Sequence, residues 1–339
     1  MAQVTLKDSR RRFAVEQGEP ILDAGLRAGI KLAHGCRNGT CGSCRATLLQ
    51  GQVSYPSGRP PALHAEEESL GHVLLCQARA QGDLVIRARE LPLGVSLPRR
   101  LPARIAAVRR WAPDVMGLYL SLPRNMSVHF LAGQYVDIIL DDGSRRSFSM
   151  ANAPWEEGAW EFHVRHLPGG RFTEPLFQGA IPEKTVLRIE APLGGFHLHK
   201  ESLRPWLFVA GGTGYAPIKA MLSQGFHDGE QRPMTLFWGG RTTDGLYMDE
   251  INQRWAEEHA NFSYVPVLSE PEPGWSGERG WVHEAVLRHH PDLAGFDVYM
   301  SGPPRMVDAA MAAFARHGLP DEQLFFDSFD LAAAQPVGS

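Results

Sequence analysis

Cysteine is scarce in this chain: four residues in 339, and none after Cys76. Two disulfides at most are available, so a disulfide-built scaffold is not expected. Long apolar runs are missing as well. None reaches the roughly 18–20 residues that a membrane span needs, and the N-terminus has no apolar h-region. A cytoplasmic protein, with no membrane partner, is the expectation. Neither sign of charge dominates: 34 Lys and Arg against 38 Asp and Glu give a net charge of −4. That balance gives no electrostatic reason to expect nucleic acid. The short basic groups at 10–12, 99–100 and 109–110 read as solvated faces, with docking as the lesser alternative. There is no internal repeat and no low-complexity tract, and residues 332–339 read as a tail expected to be mobile. Serine-hydrolase sets and metal-type histidine pairs are absent too. His197/His199 and His289/His290 lack a partner pattern and read as surface or packing residues.

The four cysteines form one pattern, Cys36-x4-Cys41-x2-Cys44 with Cys76 further on. This is the plant-type spacing for a [2Fe–2S] cluster, whose iron prefers thiolate ligands. Gly35, Gly39 and Gly42 let the backbone approach a metal closely and point N–H groups at the sulfurs. A structural zinc site uses paired C-x2-C knuckles, and here there is one such pair with an offset third cysteine. Buried structural thiols would not crowd into nine residues. A cluster of this type moves single electrons, so the rest of the chain should supply and receive them.

The chain is too long for one ordinary domain. Alternating strands at 3–6 and 11–15 and a helix opened by Glu19-Pro20 lead into the cysteine loop. That helix is expected to carry Ile21, Leu22, Leu26 and Ile30 on one face. Strands at 45–49 and 84–86 complete a small α+β domain of β-grasp type at 1–91. Glu66-Glu67-Glu68 reads as an exposed helix start. Three prolines and a glycine mark 92–102 as a linker. Short alternating segments then predict an antiparallel β-barrel at 103–200, with strands at 104–108, 117–122, 134–140, 146–150, 160–165 and 185–190 and a short helix near Phe172. From 201 to 333, strands alternate with helices, which implies an α/β parallel sheet. Residues 334–339 are tail.

Several stretches carry chemistry. Gly211-Gly212-Thr213-Gly214 sits between an apolar strand and a helix, where backbone N–H groups can meet a phosphate. Alone it is equally well a structural glycine turn, since it is not the G-x-G-x-x-G fingerprint. Arg145-Arg146-Ser147-Phe148-Ser149 lies on a barrel strand. An Arg, a flat aromatic and a hydroxyl are expected on one face, although alone the segment reads as a surface strand. Gly169-Gly170-Arg171-Phe172-Thr173 is a second glycine turn leading into a helix. Ser301-Gly302-Pro303-Pro304 closes a strand at the carboxyl edge, where open α/β sheets bind ligands.

Together, and in this order, these motifs resemble the ferredoxin–NAD(P)H reductase family of the modular type: ferredoxin, then flavin barrel, then nicotinamide domain. The resemblance covers about residues 3–330. The wording is most similar to CDP-6-deoxy-Δ3,4-glucoseen reductases, as in Ala132-Gly133-Gln134-Tyr135, and to oxygenase reductase components. It implies [2Fe–2S], FAD and NADH as cofactors, with NADPH as the alternative donor. By the resemblance Arg146 meets the flavin pyrophosphate, Phe148 lies on the ring and Ser149 faces its N5. Gly170, Arg171 and Thr173 form a second pyrophosphate segment, and His163 and Arg165 join the cofactor-binding set. Gly211, Gly212, Thr213 and Gly214 hold the nicotinamide dinucleotide together with Gly302 and Pro303. Arg241 lies near the adenosine half, where it is available to a 2′-phosphate, while Asp244 leans towards NADH. Phe329, in Asp327-Ser328-Phe329, covers the flavin face that nicotinamide must enter. Ser301 stands where the family often has cysteine. Ser149, Ser301 and Phe329 are thus the candidate catalytic positions, and Cys36, Cys41, Cys44 and Cys76 the metal ligands.

The implied activity is an NADH-dependent reductase passing electrons through FAD and the cluster to a protein acceptor. That acceptor is an oxygenase component or a CDP-6-deoxy-sugar 3-dehydrase. Reduction of free flavin or small acceptors is the alternative within enzymes, and a non-catalytic redox sensor is the alternative outside them.

Overall fold

The computed structural model describes residues 1–35, 37–40, 42–91 and 94–329. The expected tail lies outside the described residues. The chain divides into two compact units. One is Met1–Leu97 with the short segment Leu193–Phe196, and the other is Pro98–Pro192 continued from His197.

In the first unit, alternation places Val4, Leu6, Phe13 and Val15 inside a hairpin of β1 (Ala2–Leu6) and β2 (Arg12–Val15). Pro20 then opens α1 (Ile21–Arg27), which buries Ile21, Leu22 and Ala24. Ile30 is buried but does not belong to the helix, contrary to expectation. Gly29 takes a positive φ of 75° and ends it, and the Ile30 N–H donates to the Gly25 carbonyl at 2.9 Å. β3 (Arg45–Gln50), β4 (Val53–Ser54), α2 (Ala65–Ser69), β5 (His72–Leu74), β6 (Arg79–Ala80) and β7 (Leu84–Ala88) follow. The main sheet runs β2-β1-β7-β3-β5, with β1 and β7 parallel. Along α2, Glu66 and Glu68 face solvent and Glu67 pairs with Arg45.

The second unit opens with an antiparallel sheet in the order β11-β10-β13-β8-β9-β12. Its members are β8 (Arg99–Ala112), β9 (Val115–Ser121), β10 (Tyr135–Ile139), β11 (Arg145–Ser149), β12 (Trp160–Arg165) and β13 (Val186–Leu193), with α3 (Thr173–Phe177) before β13. A Met150–Phe162 bridge brings the end of β11 to β12 and closes the sheet on itself. β8 begins inside the stretch expected to be a linker. Leu101, Ala103 and Ile105 alternate inward, and that signal outweighs the prolines. Over 99–103 only β13 pairs with this strand, so Pro102 lies beside an open edge, where a missing N–H is tolerated.

The remainder is β14 (Trp206–Gly211), α4 (Tyr215–His227), β15 (Met234–Gly240), α5 (Asp249–Glu258), β16 (Phe262–Leu268), β17 (Glu278–Arg279), α6 (Val282–His289), β18 (Asp297–Gly302), α7 (Pro304–Arg316) and β19 (Leu324–Ser328). All strand pairs are parallel, in the order β17-β16-β15-β14-β18-β19. β14 and β18 are buried along their whole length, as a sheet covered on both faces requires. Trp206, Phe208, Trp238 and Tyr299 are fully enclosed, and each such side chain contributes roughly 1.5–3 kcal/mol through burial. Chain order reverses between β14 and β18. Their carboxyl ends therefore frame the crevice where open α/β sheets take ligands.

Candidate functional site

The described part of the cysteine loop suits a cluster. Cys44 immediately precedes β3, and Cys76 lies two residues beyond β5, its antiparallel partner. The Leu75 N–H donates to the Cys44 carbonyl at 3.2 Å, so both buried thiols stand at the same end of the strand pair. Gly39 and Gly42 have positive φ. A Cβ at Gly39 would lie 2.8 Å from the Pro60 side chain, so the loop is closed tightly over the segment at 60–62. Cys36 and Cys41 lie outside the described residues.

On β11 the two arginines have different surroundings. Arg145 is held by Asp137 and Glu190 at 3.1 and 3.0 Å. Arg146 donates only to the neighbouring Arg145 carbonyl and has no carboxylate partner among the described residues. A cation without a counter-ion on the Phe148 face fits an anionic group such as a pyrophosphate. Phe148 packs against Phe172, ring centroids 5.5 Å apart. The shared face holds for Arg146 and Phe148 and does not extend to Ser149, because the period of two puts Ser149 on the other side. Its buried hydroxyl lies 3.3 Å from Asp327 on β19.

Asp327 joins the candidate catalytic positions. It is the register partner of Ser301 in the β18–β19 pair, and the Phe329 N–H donates to the Gly302 carbonyl at 3.0 Å. Ser149, Ser301 and Asp327 therefore converge from three strands at one edge of the crevice, and the backbone of Phe329, one residue beyond β19, is tied to the same edge. The Ser301 hydroxyl is buried and has no hydrogen-bond partner among the described residues, so a ligand could satisfy this polar atom.

The glycine loop is built by close approach. A Cβ on Gly214 would lie 2.1 Å from the Ser301 carbonyl oxygen, so only glycine lets α4 start against the end of β18. Gly212 has φ +53°, and the Arg165 guanidinium occupies the space a Cβ would take, 2.9 Å away. The Trp238 indole N–H donates to the Gly212 carbonyl at 2.9 Å. Arg165 thus lies over the loop expected to hold phosphates and also faces Asp114 at 3.3 Å.

His163, expected in the cofactor set, is enclosed by protein. Its Nε2 faces the Glu161 carboxylate at 2.9 Å and its Nδ1 the Tyr247 hydroxyl at 2.8 Å. A carboxylate only accepts, so Nε2 carries the proton and Nδ1 accepts from Tyr247. Burial pushes the His163 pKa down, and the Glu161 hydrogen bond opposes it. Burial pushes the Glu161 pKa up, but the His163 hydrogen bond and the Lys219 charge outweigh it and bring it to about 2. With His163 neutral, Lys219 at 3.1 Å carries the compensating charge.

The second glycine turn is self-contained. The Thr173 hydroxyl bonds both the N–H and the carbonyl of Leu167, Arg171 pairs with Asp142, and a Cβ on Gly170 would lie 2.4 Å from the Thr173 oxygen. Arg241 is engaged bidentately by Glu270 at 3.0 and 2.9 Å. The motifs did not single out Glu161, Lys219, Tyr247 or Glu270. Only the alternation along β12 hinted at Glu161.

Three family profiles cover most of the chain. A "2Fe-2S iron-sulfur cluster binding domain" matches residues 4–81, an "Oxidoreductase FAD-binding domain" 102–198, and an "Oxidoreductase NAD-binding domain" 208–312. The CDP-6-deoxy-L-threo-D-glycero-4-hexulose-3-dehydrase reductase of Yersinia pestis is 37% identical over 327 residues, 96% of this chain and 98% of its own. Reductase component 1 of terephthalate 1,2-dioxygenase from Comamonas sp. is 36% identical over 342 residues, 99% of each chain. Among solved structures, an Amycolatopsis cytochrome P450 reductase matches with a TM-score of 0.76 and 31% identity, covering 97% of this chain and 99% of that one.

Fold and site together define an iron–sulfur flavoprotein oxidoreductase, in which electrons pass from NAD(P)H through FAD and [2Fe–2S] to a partner. The chain belongs to the modular ferredoxin–NAD(P)H reductase family, as its sequence motifs implied. Among the described residues, no helix is long and apolar enough to cross a membrane.

Proposed function

We propose that this chain is the NADH-oxidising reductase component of a two-protein system in the cytoplasm. Its cluster delivers single electrons to a protein acceptor, an oxygenase component or a CDP-6-deoxy-sugar 3-dehydrase. The observation that carries the reading is the convergence of Ser149, Ser301, Asp327 and Phe329 beside the glycine loop. The two acceptor classes are those named for relatives at 37% and 36% identity. Having all four cysteines in the cluster pattern, with none left for disulfides, agrees with a reducing compartment.

A bound flavin accepts a hydride and releases single electrons. The protein's work is placement. In this reading Arg146 neutralises the flavin pyrophosphate and Phe148 covers the ring. The Ser149 hydroxyl, steadied by Asp327, faces the reacting edge. Arg165 and the N–H groups of 211–214 hold the dinucleotide phosphates. Ser301 offers its buried hydroxyl to the nicotinamide, and Phe329 gives way to it.

The Arg241–Glu270 pair supports NADH over NADPH. Glu270 neutralises the arginine best placed for a 2′-phosphate and adds an anion that would repel one, whereas a ribose hydroxyl can donate to it. Anaerobic titration with NADH and with NADPH, followed by visible spectra, tests the whole reading. Flavin and cluster bands should both bleach, and NADH should be the better donor. Absence of flavin bands sinks the function, and faster bleaching by NADPH overturns the nucleotide choice.

A further inference from the structure

On β12 the even positions, Trp160, Phe162 and Val164, are buried in the barrel core. The odd positions all leave on the other side, and each meets a different element of the parallel-sheet domain. Glu161 meets Lys219 on α4, His163 meets Tyr247, and Arg165 covers Gly212. Around them Trp111 stacks on Tyr247 with planes 9° apart and meets His163 edge-on at 4.9 Å. Tyr215, the first residue of α4, stacks on Trp238 at 4.0 Å.

Lys219 is the charged centre of this contact. Only 8% exposed, it pairs with Glu161 at 3.1 Å and donates to the Ala151 carbonyl at 3.2 Å. Ala151 lies two residues past β11, and its own N–H is held by the Glu161 carbonyl at 2.8 Å. One ammonium therefore ties together the exit of β11, the start of β12, and α4 four residues after its own start. α4 begins directly after the glycine loop, and a helix transmits displacement along its axis with little give. Desolvating an ion pair is costly, and a well-packed apolar pair often stabilises a protein as well or better. What the ionic arrangement adds is direction, since its hydrogen bonds fix where the helix sits.

We propose that Lys219 is a positioning residue for hydride transfer. Through Glu161 and Ala151 it sets the glycine loop against the strand that carries Phe148 and Ser149. The proposal rests on the assignment of that strand to flavin and of the loop to nicotinamide. Misplacement of reacting atoms by about 1 Å costs on the order of 100-fold in rate, and Lys219 is placed to control displacements of that size.

The test uses the full-length protein with its native cofactors. Lys219→Met, Lys219→Arg and the double variant Glu161→Gln/Lys219→Met are compared with wild type by anaerobic stopped-flow with NADH. Flavin and cluster content, the NADH dissociation constant, the limiting rate of flavin bleaching and the long-wavelength flavin–nicotinamide charge-transfer band are read for each. The expected result for Lys219→Met is a limiting rate lowered ~10- to 100-fold, with a weakened charge-transfer band and NADH affinity nearly unchanged. Lys219→Arg should recover much of both. The double variant, which leaves no buried unpaired charge, should retain flavin but stay slow. An unchanged rate and band in Lys219→Met overturn the proposal, and so does full recovery in the double variant. A wild-type protein without flavin overturns the functional reading instead.

Discussion

The side chains of Ser149 and Asp327, 178 residues apart in sequence, meet at 3.3 Å in a buried contact. Through it the last strand of the parallel sheet supports the hydroxyl at the end of a barrel strand. Ser149→Ala is expected to lower the limiting rate of flavin reduction by about tenfold or more, the scale of a lost transition-state hydrogen bond. Asp327→Ala should lower it less, since it removes only the support. Rapid-reaction kinetics with NADH check both. Equal rates in Ser149→Ala and wild type would remove this serine from the site.

Glu270 and Arg241 give a separate prediction. Both are well exposed, so solvent screens the pair and it contributes little to stability. Glu270→Ala should release Arg241 and raise kcat/KM for NADPH by roughly tenfold, the scale of one additional charge-assisted hydrogen bond to the 2′-phosphate. Melting temperature should hardly move. A variant with unaltered preference would place the 2′ position of the ribose elsewhere.

Acid sensitivity follows from β12. His163 has a lowered pKa in the fold, so the folded protein binds fewer protons there than the unfolded chain does. Its contribution to stability is complete above the unfolded value of 6.5 and is lost as pH falls. Glu161 behaves alike at lower pH: its contribution is full above 4.5 and lost as pH approaches 2. Thermal melts from pH 8 to 5 should therefore show falling stability below about 6.5. His163→Gln should be less stable at pH 8 by ~1–3 kcal/mol and flatter across the range. A slope identical to wild type would assign the acid sensitivity to other groups.

Replacing Cys76, a proposed cluster ligand, would separate the two halves of the electron path. Cys76→Ser should remove most of the cluster absorbance and the reduction of one-electron protein acceptors such as cytochrome c. Bleaching of the flavin by NADH should persist at close to the wild-type rate. Spectra with metal analysis decide this, and a full complement of iron and sulfide in the variant would rule Cys76 out as a ligand.

Much of this architecture is legible in the sequence because its signals are local. The cysteine spacing, the alternation along 160–165 and the strand–glycine–helix order at 206–216 each need only neighbouring residues. Arg99 to Pro102 mislead for the same reason: prolines argue locally against a strand, whereas pairing with β13 is a distant fact. The face of Ser149 differs from expectation by one residue in a period of two. Lys219 with Glu161, and Glu270 with Arg241, are hidden in the sequence because each pair joins residues of different elements. Arg241 alone suggests a phosphate ligand, and only the fold supplies the carboxylate that occupies it.

The alternation along β12 has a consequence for recombination. Family profiles draw the boundary between flavin and nicotinamide modules near residues 198–208, yet Glu161, His163 and Arg165 are the lining of the downstream module written into the upstream one. A chimera joined at that boundary would inherit a nucleotide module whose Lys219 and Tyr247 find strangers opposite them. Carrying those three odd-numbered residues across with the graft should restore the fit, while the even-numbered ones remain with the barrel.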